Sequence, residues 1–282
     1  MGMKASNAIA TFFKYFVLIL VGLIMIYPLL WMISATFKDN SEIFAGIGLW
    51  IKNPTLEGYK NALNNFGGSI NILQAMLNTY SYVLPKVICT VVSSCIAAYG
   101  FGRFDFPGRK ILFSIMLATL FLPQVVLNVP QFLLYTKFGW VNSPFYLAIW
   151  VHCAFATETY FVYQLVQFMR SIPHDLDEAA AIDGIKNRWQ ELWYVTLPAM
   201  KPQLMFGAVM QITQSFAVAD ISINLAGNPS VNYAGATIVT HLLDYGSTRM
   251  EMGYACAIAT ILFLLMVGTN KLVQRVLRRV GE

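Results

Sequence analysis

The run Tyr15-Phe16-Val17-Leu18-Ile19-Leu20-Val21-Gly22-Leu23-Ile24-Met25-Ile26-Tyr27-Pro28-Leu29-Leu30-Trp31-Met32-Ile33 carries no charged side chain. A helix rises about 1.5 Å per residue, so such a run covers the roughly 30 Å of a bilayer's hydrocarbon core. It exceeds the apolar region of a cleaved leader, includes Tyr27-Pro28 and Trp31, and is followed by no clean small-x-small cleavage site. The expectation is a first membrane span over 13–33 that stays in the mature protein.

The whole chain agrees with that reading. Its 282 residues are 57% hydrophobic and 12% charged, with a mean hydropathy of +0.58. Soluble domains run near 45–50% apolar and about 25% charged, so a soluble fold could not cover this much apolar surface. Disorder is excluded on the same ground. Five further stretches are long and apolar enough to cross, over 80–102, 111–134, 145–168, 204–225 and 253–272. The expected fold class is an all-α integral membrane protein, one domain over 1–282 with six transmembrane helices. Unpaired backbone groups cannot face lipid, so the spans are expected to be continuous helices.

Lys and Arg fix the orientation. Thirteen lie at the two termini, in the loop after the second span and in the loop after the fourth; five lie on the opposite side, and Lys86 falls inside the second span. Both termini are therefore expected in the cytoplasm. Trp31, Trp50, Trp140 and Trp150 then sit near outer span ends, where amphipathic rings settle. The net charge of +5 reflects this placement and no nucleic-acid partner. The outer segment 34–79 is long enough for a lobe of its own. No internal repeat is evident, which argues against an inverted-repeat secondary transporter.

Cys89, Cys95, Cys153 and Cys256 all fall in apolar stretches without metal or disulfide spacing and read as packing residues. His152, His174 and His241 make no metal set, and no nucleophile-base-acid constellation is present. The expectation is a protein that is not an enzyme.

The cytoplasmic segment 169–203 is the most charged part of the chain. It contains Pro173-His174-Asp175-Leu176-Asp177-Glu178-Ala179-Ala180-Ala181-Ile182-Asp183-Gly184. A proline near the start and acidic residues in the first turns suit a helix N-terminus. The alanines favour helix, and Gly184 can end it in a left-handed conformation. A second helix is expected to carry Trp189, Leu192 and Trp193 on one face. A small-residue face with an acidic edge suits close docking of another surface; a helix resting at the membrane interface fits the residues equally.

Glu178-Ala179-Ala180-x-x-x-Gly184 followed by Leu197-Pro198 resembles the Glu-Ala-Ala loop of ABC importer permeases. The stretch Asp177 to Gly184 resembles the carbohydrate-importer version, and Ala97-Ala98-Tyr99-Gly100-Phe101-Gly102-Arg103-Phe104-Asp105-Phe106-Pro107-Gly108-Arg109 is similar to that family's junction between two spans. The interval from Gly184 to Pro198 is one residue longer than the family pattern. The resemblance covers most of the chain and implies a type I importer permease, similar to the smaller permease of maltose-type transporters. It implies that Asp177, Glu178, Ala179, Ala180, Ala181, Asp183 and Gly184 form a coupling helix contacting an ATPase subunit. It further implies a heterodimer with a second permease, two ATPase subunits holding ATP and Mg, an extracytoplasmic sugar-binding protein and a plasma or inner membrane location. The chain itself has no phosphate-binding Gly-x-x-x-x-Gly-Lys-Ser/Thr loop and is expected to bind no cofactor.

Polar groups at membrane depth are functional candidates. Glu158 and Asp220 are ionisable, whereas Lys86, early in its span, is expected to snorkel outward. The span over 204–225 also carries Ser215; on it Gln211, Gln214 and Val218 share a face, so two amides that both donate to and accept from sugar hydroxyls could point at one cavity. Tyr160 could stack on a sugar ring. Each also has a plainer role as interhelical packing or glue. Coupling to ions through Glu158 and Asp220 would instead make the chain a secondary transporter of a small polar solute.

Overall fold

The structure, a computed structural model, describes residues 3–64, 68, 70–141, 143, 145–173, 175–182, 184–219, 222–224, 227, 230 and 235–278, with the backbone alone at 3–10, 124, 125, 178, 180 and 181. Every regular element among them is helical. Two compact units divide the chain, Met1–Leu73 with His241–Phe263 and Gln74–Thr240 with Leu264–Glu282.

In the first unit, α1 (Met3–Ala35) carries Pro28 in its interior. Its C-terminal end is fastened by side chains reaching across the following segment. The Tyr27 hydroxyl, the Ser34 hydroxyl and the Lys38 ammonium donate to the carbonyls of Ile47, Leu49 and Gly48. Those carbonyls belong to an irregular stretch with no helical partner, so the donors replace a missing ladder. The segment after α1 also contains α2 (Asn40–Ala45) and α3 (Glu57–Leu63). Asp39 caps α2 by accepting from the Ser41 amide at 3.1 Å and its hydroxyl at 2.6 Å, which holds the carboxyl below its ordinary pKa. Asn40 Oδ1 accepts from the Gly253 amide at 2.9 Å, and a Cβ on Gly58 would stand 2.8 Å from the Gly253 carbonyl oxygen. Within the segment 34–79, α2 and α3 thus pack against the start of the last long helix, while 72–79 belong to the next long helix.

The same unit holds a buried polar cluster. His241 Nε2 lies 2.9 Å from the Tyr254 hydroxyl, its ring faces Tyr245, and Asp244 pairs with Arg249 at 3.0 Å. Burial pushes the imidazole down to about 4; the Asp244 carboxylate works against this and the Arg249 guanidinium with it. The unfolded chain therefore binds more protons between pH 6.5 and 4. This stability is complete above pH 6.5 and lost on acidification through that window, by on the order of 2–3 kcal/mol. Thermal unfolding in detergent should show the decline, and His241→Gln should flatten it; parallel pH profiles would refute the assignment.

In the second unit, α4 (Ile72–Arg103) is followed by α5 (Arg109–Ala118), α6 (Gln124–Lys137) and the short α7 (Leu147–Trp150). Then come α8 (Thr159–Ser171), α9 (Asp175–Ile182) and α10 (Arg188–Glu191). A π-helical turn (Leu192–Thr196) leads to α11 (Leu197–Ala199) and α12 (Lys201–Phe216). The chain closes with α13 (Ile238–Leu243) and α14 (Met252–Arg278).

Among the described residues α1, α4 and α14 are long and apolar enough to cross a membrane, and α5 with α6, bent by 107°, adds a fourth span if counted as one. The other two expected spans differ from continuous helices. Over 145–168 the chain forms α7, a 3-10 stretch (Val151–Phe155) and only then α8. Tyr146 and Ala156 adopt left-handed backbone, each with φ near 54°, and these two positions interrupt the helix. The freed backbone groups are met from α4, where the Ser93 hydroxyl donates to the Cys153 carbonyl at 2.8 Å and accepts from the Ala156 amide at 3.2 Å. Irregular backbone at this depth is tolerated when a neighbouring helix satisfies it. Over 204–225 the described helix, α12, ends at Phe216.

Lys86 is buried, only 6% exposed, and so does not snorkel. Cys95, Cys153 and Cys256 are buried and Cys89 half-buried, all as free thiols.

Candidate functional site

The segment 169–203 is built on the core of the second unit. Cys95, Ala98 and Tyr99 of α4 pack with Phe161, Val162, Leu165, Val166 and Met169 of α8. Ile172, Leu192, Met200 and Leu204 complete the cluster, so the segment is seated on it at both ends and in its middle. The helices meet closely: a Cβ on Gly102 would lie 3.0 Å from that of Met169.

The first predicted helix is α9, beginning two residues after Pro173. Gly184 follows it at φ +94°, the left-handed region expected there, with nothing within 4 Å of where a Cβ would point. Asp177 binds Arg103, Nη1 to Oδ2 at 3.1 Å. Ala179 is exposed, and Leu176 and Ile182 project apolar surface outward, Ile182 at 87% exposure. Glu178, Ala180 and Ala181 lie on the α9 backbone; their side chains, and Asp183 altogether, lie outside the described residues.

Asn187 caps α10, its side chain accepting from the Gln190 amide at 2.9 Å while Gln190 Oε1 accepts from the Lys186 amide at 3.0 Å. This resembles a capping box shifted by one residue, the Gln190 side chain reaching past the cap to the amide before it. Glu191 is buried, and the Arg188 guanidinium beside it donates at 2.6 Å; that carboxylate raises the arginine's pKa.

The expected shared face of Trp189, Leu192 and Trp193 is divided. Leu192 enters the core, while Trp189 and Trp193 stay exposed. Leu192 is taken into the cluster formed with Cys95, Tyr99 and Met200, and the chain winds as a π turn from Leu192 onward.

The pathway candidates scatter. Glu158 is half-buried at the start of α8, and its carbonyl accepts from Phe161 and Val162. Tyr160 is exposed, its hydroxyl taking a hydrogen bond from Gln164 at 3.2 Å. On α12 the buried face runs through Leu204, Gly207, Ala208, Gln211, Ile212 and Ser215, which leaves Gln214 exposed. Gln211 is therefore paired by position with Ser215, one turn on, and not with Gln214. Gln211 Oε1 and Ser215 Oγ are both buried with no hydrogen-bond partner among the described residues. Asp220 lies outside the described residues. No group of three potential metal ligands occurs among the described residues.

Residues 93–281 match the family model described as binding-protein-dependent transport system inner membrane component. The chain belongs to this family of inner membrane transport components. The match begins inside α4 and takes in the whole seated segment. One relative of this transport component is the diacetylchitobiose uptake system permease protein NgcG of Streptomyces coelicolor, 29% identical over 89% of this chain and 81% of its own. The galactooligosaccharides transport system permease protein GanQ of Bacillus subtilis is 30% identical over 71% of this chain and 69% of its own. A solved bacterial ABC transporter for alginate import has a chain that superposes with a TM-score of 0.74 at 18% identity, covering 96% of this chain and 97% of that one. That likeness places the inner membrane component in the same all-helical transporter fold.

Arg103 and Glu191 are buried charged groups of this segment that the site candidates read from the sequence did not include. The signal available was their position, a charge at the end of a long apolar helix and another within an apolar helix face.

Proposed function

We propose that this chain is the membrane-spanning subunit of an ATP-driven importer that translocates a carbohydrate delivered by an extracytoplasmic binding protein. The single observation that carries this reading is the seated cytoplasmic segment, a short helix with outward Leu176 and Ile182 closed by left-handed Gly184, inside a matched transport-family region. Relatives named for diacetylchitobiose and galactooligosaccharide uptake supply the substrate class, and a neighbouring structure solved with a pentasaccharide-bound periplasmic protein supplies the binding-protein partner. They support the importer and not the ion-coupled transporter.

In this mechanism α9 is the coupling helix, received by one of two ATPase subunits that hold ATP and Mg. Their closure displaces the segment, the spans tilt, and the cavity shared with a second permease opens outward to take the sugar; hydrolysis resets it. The polypeptide crosses six times with both termini in the cytoplasm, α5–α6, the broken 145–171 stretch and α12 supplying spans beside α1, α4 and α14. Gln211 and Ser215 carry buried, unspent hydrogen-bonding capacity on one face, which suits sugar hydroxyls. The test is reconstitution in nanodiscs with the co-encoded permease, ATPase and binding protein. Diacetylchitobiose, galactooligosaccharides and maltose serve as probes, with binding-protein-dependent ATP hydrolysis as the readout. Hydrolysis that ignores the binding protein with every saccharide, or proton-driven uptake by this chain alone, would overturn the proposal.

A further inference from the structure

We propose that Arg103 and Tyr99 are positioning residues that tie the C-terminal end of α4 to the coupling segment, so that displacement of α9 is passed on to α4. The inference rests on the reading of α9 as the coupling helix. Arg103 is the last residue of α4 and Asp177 stands in the first turns of α9; their side chains are 2% and 14% exposed. One turn back on the same helix face, the Tyr99 hydroxyl donates to Glu191 Oε1 at 2.9 Å and lies 3.2 Å from the Arg188 carbonyl. Glu191 Oε2 accepts from Arg188 Nη1 at 2.6 Å. The Arg188 guanidinium sits 5.7 Å from the centre of the Phe104 ring, itself edge-on to Tyr99 at 5.3 Å.

The end of α4 thus grips α9 through one residue and α10 through another. A single contact would act as a swivel, whereas two, one turn apart and on different helices, fix orientation as well as distance. A buried ion pair suits the task because it is directional, and parting it strands a charge, so the joint holds or fails instead of slipping. This geometry assigns the Asp177 carboxylate to fastening α9 from behind, while Leu176 and Ile182 face outward.

The test uses the assembled complex in nanodiscs and reads the ratio of binding-protein-stimulated to basal ATP hydrolysis. Arg103→Gln should assemble with unchanged basal hydrolysis and lose stimulation about tenfold. Tyr99→Phe, which removes one oxygen and keeps the ring, should lose it about threefold, and Arg103→Lys, which keeps the charge, should recover most of it. A merely structural role would lower basal and stimulated rates together and leave the ratio alone. That outcome, or normal ratios in both variants, overturns the tie. If Arg103→Gln fails to assemble, Tyr99→Phe decides. A Gly184→Val complex that stays fully stimulated would remove the coupling reading itself; loss there with normal ratios at Arg103 and Tyr99 removes only the tie.

Discussion

Replacing Gly184 by valine is expected to leave the chain inserted and assembled while abolishing substrate-stimulated ATP hydrolysis. The residue sits at φ +94°, and space is not the constraint, since no atom lies within 4 Å of where a Cβ would point. The penalty is purely conformational. A β-branched residue held at positive φ costs about 1–3 kcal/mol, which moves a two-state turn by about 5- to 150-fold. Relaxation of that strain would swing the end of α9 away from its seated geometry. Because the fault lies in a surface turn, expression and thermal stability should change little, and stimulated hydrolysis and sugar uptake should fall together. Full stimulation in the variant would mean that this turn transmits nothing.

Gly207→Val is expected to have the largest effect on stability. A Cβ on Gly207 would stand 1.8 Å from Cε2 of Phe161 and 2.3 Å from its Cζ, so α12 and α8 meet with an aromatic ring where a side chain would be. Small residues at helix crossings in membranes serve this close approach. Phe161 is buried in one cluster with Leu165, Val166 and Leu204. Overpacking of this kind costs about 1–3 kcal/mol or more. Thermal unfolding in detergent should register the loss, and Phe161→Ala, harmful by itself through the cavity it leaves, should restore part of it when combined with Gly207→Val. Strict additivity of the two would show that the ring is not the obstacle.

The membrane class and the longest helices were legible because apolar length is a local property: α1, α4 and α14 follow directly from runs without charge. Gly184 was legible for a similar reason, a helix-forming alanine stretch followed by the residue that accommodates left-handed backbone. The break before α8 was not. It depends on Ser93, more than sixty positions away in the sequence, meeting backbone groups that an isolated stretch would have to pair internally. The divided face of Trp189, Leu192 and Trp193 was hidden because the cluster that takes up Leu192 is assembled from residues distant in sequence, Cys95 and Tyr99 among them. Gln211 and Gln214 were paired on angular spacing alone, which cannot reveal where along the helix surface the buried face ends. Arg103 was counted only as a charge that orients the chain, since its carboxylate partner is brought to it by the fold.

Residues 11–30 of α1 bear no buried side chain, and among the described residues the helix is fastened to its unit near its C-terminal end, by Tyr27 on the Ile47 carbonyl and by Trp31 to Ala35. It resembles a mast stepped at one end. Its shaft can trade lipid neighbours for protein ones without any interior contact being opened, so recruitment into a larger complex along that length carries no unfolding penalty.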